Sequence, residues 1–150
     1  MLTVAAIVGI GAVINVVMPA VNRAGSALVS SADVADDRLS TRIEIIHATG
    51  QDAVSQAEMW VKNTGAIKVT ALQRIDVFFG PETSFQRIPY GGPGCTAPCW
   101  DYTIENDTVW NPTATLHITI FTSSPLSAGT TYFVKIVTPV GIEDTKFFTL

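Results

Sequence analysis

Charge is scarce in this chain. Asp, Glu, Lys and Arg make up only 15% of its 150 residues, against about a quarter in an ordinary soluble domain. The nine Lys and Arg are scattered and the net charge is −4. A protein that grips nucleic acid needs a basic footprint, so this absence argues against nucleic acid as a partner and against strong attraction to anionic lipid. Cysteine and histidine are equally sparse, two of each. Structural zinc takes four ligands, and two cysteines with a distant histidine fall short. No Ser or Thr sits in a pattern that suggests a nucleophile beside a base, so the chain does not read as an enzyme and no cofactor is expected. Internal repeats and low-complexity tracts are also lacking.

Apolar residues are plentiful, at 47%, and the surplus lies at the start. From Leu2 to Val21 there is no charged side chain, and the first charge is Arg23. About 20 such residues span a bilayer as a helix. Gly9, Gly11 and Pro19 are better tolerated in membrane helices than in soluble ones, and Ala5, Gly9 and Ala12 place small residues where a neighbouring helix can approach. Three readings compete. A cleavable secretory signal has a basic n-region and a shorter apolar core than this segment shows. A membrane anchor fits the length. A helix that leaves the membrane and packs against copies of itself in a filament core also fits. Leu28, Ala32, Ala35 and Leu39 continue the helical spacing, so the helix is predicted to run on as a more polar stalk to about Asp37. At 1.5 Å per residue it is roughly 50 Å long, which exceeds what an anchor needs and suits a filament core.

From Arg42 the period changes to two. Alternating or β-branched runs occur at Arg42–Ile45, Ala57–Asn63, Ile67–Leu72, Arg74–Phe79, Trp100–Glu105, Thr113–Phe121, Thr131–Thr138 and Asp144–Leu150. Turn signals such as Asn63-Thr64-Gly65, Gly80-Pro81, Asn106-Asp107 and Pro139-Val140-Gly141 separate them. About seven or eight short strands with no helix between them are the mark of an antiparallel sandwich. The predicted fold is α+β by element count: a long N-terminal hydrophobic α-helix over 1–38, then an all-β antiparallel, immunoglobulin-like sandwich over 39–150. Phe78, Trp100, Trp110, Tyr132 and Phe147 are its expected large core residues.

Few residues invite a chemical reading. His47 and His117 lie on strand-like segments, where a wet-face histidine is the default. Asp33, Asp36 and Asp37 sit on the predicted helix; a calcium loop needs oxygen ligands around a turn, so these read as a solvated helix end. Cys95 and Cys99, in the Gly- and Pro-rich stretch Gly91–Cys99, are expected to form a small disulfide in an oxidising compartment. Asn106-Asp107-Thr108 is the usable glycosylation sequon, since Pro112 spoils Asn111-Pro112-Thr113. Asn106 reads equally as the turn between two strands. Tyr90 is the aromatic expected to be an exposed contact beside that Gly- and Pro-rich loop.

Three features together resemble the archaellin (archaeal flagellin) superfamily and the related archaellum accessory proteins: the apolar segment Leu2–Val21, the element Met59-Trp60-Val61-Lys62-Asn63-Thr64-Gly65, and the ending Tyr132–Thr138 followed by Pro139-Val140-Gly141. The resemblance implies a helix made behind a short leader, cut by a prepilin-type peptidase and bundled into a filament with the sandwiches outside. Ala5 and Ala6 stand where bacterial type IV pilins carry a Glu. The polymerisation helix would then use Leu2, Val4, Ala5, Ile7, Val8, Gly9, Ile10, Gly11, Ala12, Val13, Ile14, Val16 and Val17. The partners implied are copies of the chain in a helical filament, the membrane before assembly, and the archaellum machinery. The location implied is a cell-surface motility filament. The same features fit a single-pass anchored accessory protein that binds the surface layer or motor, or an adhesive type IV-like pilin.

Overall fold

A computed structural model describes residue 23, residues 25–27 and residues 29–150. The greater part of the expected long helix, including the apolar segment, lies outside them. The described residues up to Ser40 are helical, and among the described residues no helix is long and apolar enough to cross a membrane. Asp37–Leu150 is one compact unit. It starts there because the helix end is tied to the sandwich. Arg38 Nε donates to the carbonyl of Val140 at 2.8 Å, and the Ala66 N–H donates to the carbonyl of Ser40 at 2.8 Å.

Eight strands follow: β1 (Ile43–Gly50), β2 (Gln56–Asn63), β3 (Asp76–Pro81), β4 (Gln86–Ile88), β5 (Cys99–Glu105), β6 (Thr115–Phe121), β7 (Thr131–Val137) and β8 (Glu143–Thr149). They form two antiparallel four-stranded sheets, ordered β1-β2-β6-β5 and β4-β3-β7-β8. Alternation builds the core directly, since successive side chains of a strand point to opposite faces. Ala57, Met59 and Val61 of β2 and Leu116, Ile118 and Ile120 of β6 point inward from the first sheet. Val77 and Phe79 of β3 and Tyr132, Val134 and Ile136 of β7 meet them from the second.

Three expectations are corrected. Trp100, Trp110 and Tyr132 are buried, but Phe78 is only half-buried and Phe147 is 52% exposed. In both Phe-Phe pairs the second ring points inward, Phe79 and Phe148. Phe79 continues the inward series Ile75, Val77, and one position earlier is the other face of the sheet. Ile67–Leu72 is no strand; the backbone turns left-handed at Ala71 (φ 54°) and enters a 3-10 turn at Leu72–Arg74. The three-residue β4 had no apolar run to announce it.

The Asn63-Thr64-Gly65 element does more than turn the chain. Asn63 is fully buried, and its side chain is fully partnered. Nδ2 donates to the carbonyls of Ile67 and Trp110 at 2.9 and 3.1 Å, and Oδ1 accepts from the Gly65 N–H at 3.0 Å. One amide thus pins two loops to the end of β2. At the β7–β8 hairpin, Thr138 Oγ1 both donates to the Ile142 carbonyl and accepts from its N–H, each at 3.0 Å. Gly141 supplies the positive φ (84°) the turn requires.

Candidate interaction surfaces

Two aromatic rows lie on the outer faces of the sheets. On the first, cross-strand register sets Trp60 of β2 between His47 of β1 and His117 of β6. The Trp60 ring stacks on His117 at 4.4 Å and lies 5.3 Å from His47. Its Nε1 donates to Glu105 Oε1 at 2.9 Å. The imidazole nitrogens of His117 lie 3.8 Å from Glu58 and 3.9 Å from Glu105. This is a histidine on the outer face of a strand, held by stacking and flanked by two carboxylates. Among the described residues no three His, Cys, Asp or Glu converge as metal ligands.

On the second sheet, Phe133 of β7 lies between Phe85 and Phe147, with ring centroids 4.4 and 5.2 Å away. Phe85 belongs to the β3–β4 turn and is 49% exposed. It can cross β3 because Gly80 has no side chain; a Cβ there would come within 2.7 Å of the Phe85 Cα. This row was not anticipated, since it joins residues far apart in the chain. The partial signal was Phe133, which falls at an outward position of the clearest alternation in the sequence.

Cys95 and Cys99 are joined by a disulfide across a Cα–Cα distance of 6.3 Å. The bridge packs on Gly91, where a Cβ would lie 2.4 Å from that of Cys95. Beside it, Tyr90 and Trp100 form an isolated parallel bridge. Tyr90 is half-buried rather than an exposed contact, its ring edge-on to Trp100 at 4.8 Å. Burial, with Tyr102 and Asp101 nearby, raises its phenol pKa. Asn106 is exposed and left-handed (φ 63°), at the turn that leaves β5. Asp107 holds that turn, accepting from the Thr108 N–H at 2.7 Å and the Asn111 amide at 2.8 Å. The Asn111 amide, and then the Thr108 N–H, keep its carboxyl below the ordinary carboxylate range. The proposed polymerisation residues, Leu2 to Val17, lie outside the described residues.

The model of the archaeal-type flagellin family matches residues 1–148. The chain belongs to the archaeal-type flagellin family. As a member it is a structural, archaellum-related protein of the cell surface and not an enzyme, in keeping with the resemblance read from the sequence. The archaellum periplasmic stator protein FlaG from Sulfolobus acidocaldarius is similar at 30% identity and a TM-score of 0.63, covering 72% of this chain and 99% of that one. The archaeal flagellum of Methanospirillum hungatei strain JF1 shares the fold at 17% identity and a TM-score of 0.64, covering 99% of this chain and 90% of that one. An uncharacterised protein of Archaeoglobus fulgidus is 30% identical over 126 residues, 79% of this chain and 75% of its own length.

Proposed function

We propose that this archaeal-type flagellin family member is an accessory protein of the archaellum, a sandwich held at the cell envelope by its N-terminal apolar segment, in the role of a stator component. The observation that carries this reading is the likeness of the sandwich to FlaG, at 30% identity over 99% of that chain, against 17% for the filament structure. A stator must bear load between a membrane and a fixed layer. A sandwich whose loops are pinned by a buried Asn63, and whose β8 side chains Asp144 and Lys146 bond to the β1 backbone of the other sheet, suits that task.

The second reading, a filament subunit that polymerises through Leu2–Val17, is favoured by one observation. The family match begins at residue 1 and takes in the apolar segment, which a helical filament buries among copies of itself through small-residue packing. In that reading the chain also meets a prepilin-type peptidase and passes through the membrane before assembly. Shearing intact cells and identifying the protein in the filament and membrane fractions separates the two. Retention in the membrane at low copy number is the expected result. If the chain dominates the sheared filaments, the stator reading is wrong. Ala5→Glu and Gly9→Leu would then block filament assembly while leaving the sandwich folded.

A further inference from the structure

Two open sheets have four edges, each a row of unpaired N–H and C=O groups that another strand can join. Of the four, one is short, one is bridged at its start and one is capped. β4 is three residues long, and its Arg87 is paired with Asp76 at 2.6 Å. β5 is closed at its start by the Tyr90–Trp100 bridge, with the Gly91 N–H on the Trp100 carbonyl and the Trp100 N–H on the Pro89 carbonyl, both at 3.0 Å. β1 breaks register between Ile45 and His47. Its outward groups there are capped: Asp144 Oδ2 accepts from the Ile45 N–H at 2.6 Å, and Lys146 Nζ donates to the carbonyls of Ile45 and Ile46 at 3.1 and 2.9 Å.

β8 meets β1 through those Asp144 and Lys146 side chains, but its own outward backbone groups are left open along most of its length. It pairs with β7 over seven consecutive residues without a register shift. The bonds at its two ends fix the phase of the ladder: the Thr138 N–H donates to the Ile142 carbonyl, and the Leu150 N–H to the Thr130 carbonyl. Even-numbered residues of β8 therefore bond to β7, and the backbone groups of Glu143, Thr145, Phe147 and Thr149 point to the open edge. Of these, only the Thr145 N–H is capped, by Asp144 Oδ1 at 2.9 Å. The same odd-numbered residues carry the exposed side chains of the strand, and Phe147 ends the Phe85–Phe133–Phe147 row.

We propose that β8 is a pairing edge for a second copy of this chain, antiparallel about a two-fold axis at Phe147. That axis sets Phe147 opposite its counterpart and joins the two aromatic rows. It also sets Thr145 opposite Thr149 on both sides of the axis, repeating the Thr131–Thr149 hydroxyl contact (3.0 Å) already present within the sheet. Charge selects this register. Lys146 falls opposite Phe148, whereas an axis at Lys146 would oppose two lysines, and an axis at Thr145 would set Phe147 against Glu143. A two-fold contact closes on itself, so it makes a pair and not a fibre. Its area, one strand edge and the half-exposed rings, falls short of the roughly 800 Å² per partner of a stable complex. The pair therefore forms among copies concentrated on one membrane, and in this it rests on the anchored reading above.

Disulfide trapping in membranes from cells expressing the full chain tests it. Opposed residues of a hydrogen-bonded antiparallel pair lie about 5.5 Å apart at Cα, within disulfide reach. Under mild oxidation, Phe147→Cys is expected to give a covalent dimer at least tenfold more abundant than Thr119→Cys on the outer face of the first sheet. Chemical cross-linking of the parent chain is expected to drop at least tenfold with Phe147→Lys. It should drop likewise with Thr149→Pro, which removes an edge donor that β7 does not use. Monomeric Phe147→Cys, equal trapping at both positions, or cross-linking unchanged by Phe147→Lys would each overturn the proposal. Locating the chain in sheared filaments refutes the anchored role separately; trapping in that fraction still decides whether β8 pairs.

Discussion

Trp60 and Phe133 hold matching places in the two sheets. Each lies on the outer face of a central strand, and each is the middle ring of a row of three. The rows differ in how their polar requirements are met. In the first, Trp60 donates to Glu105 and His117 lies between the carboxylates of Glu58 and Glu105, so the rings pack on their faces with polar groups at their rims. In the second, no ring has a polar atom, and the end members Phe85 and Phe147 are half exposed. An aromatic row with polar rims is a finished surface. One without them, at an open strand edge, has apolar area still to bury.

Both rows stand on one core, so a change in that core weakens both. Asn63→Ala should cost the most, about 3 kcal/mol, since it leaves the Ile67 carbonyl and the Gly65 N–H without their side-chain partner and takes from the Trp110 carbonyl one of its two donors, the other being the Val69 N–H. Denaturant unfolding measures this, and a loss below about 1 kcal/mol would mean that water replaces the amide. Trp60→Ala should cost about 2 kcal/mol by removing the centre of the first row together with its bond to Glu105. Replacing both Cys95 and Cys99 by Ser should cost about 2 kcal/mol at most, because the loop closed is short. The intact mass of the parent chain without reductant should be a pair of hydrogens lighter than after reduction. Free thiols that alkylate without reductant would refute the bridge.

Phe147→Lys should change the stability of the isolated chain by less than about 0.5 kcal/mol, as for other exposed positions. Trp60→Ala, by contrast, destabilises: one row stabilises the fold, and the other is available to a partner. The smallest effect belongs to Asp107. Its carboxyl is depressed in the folded state by Asn111 and Thr108, so its contribution is complete above the ordinary carboxylate range and is lost as pH falls below it. Asp107→Asn should flatten the acid side of the melting-temperature profile slightly. An unchanged acid slope would show that the turn does not depend on the charge.

Much of the sandwich was legible because a strand with one buried face writes that face into every second residue. The runs at β2, β6 and β7 are such cases. The Phe-Phe pairs misled where the choice of ring came from large size and not from phase. Ile67–Leu72 looked like a strand by composition, and the left-handed Ala71 ended that path. Asn63 read as a turn residue, since nothing local shows that two distant carbonyls converge on its amide. The aromatic rows were hidden for the same reason, each joining residues from separate strands.

The charge-poor apolar start, the series of two-faced strands and the family resemblance can all be read along the chain, because hydrophobic period and composition are local properties. Folding had to settle which ring of each pair is dry, that His47, Trp60 and His117 meet, and that the outward backbone of β8 carries a single cap. Those outcomes depend on strand pairing between residues far apart in the chain, and register, unlike period, is fixed only when the sheets close over a shared core.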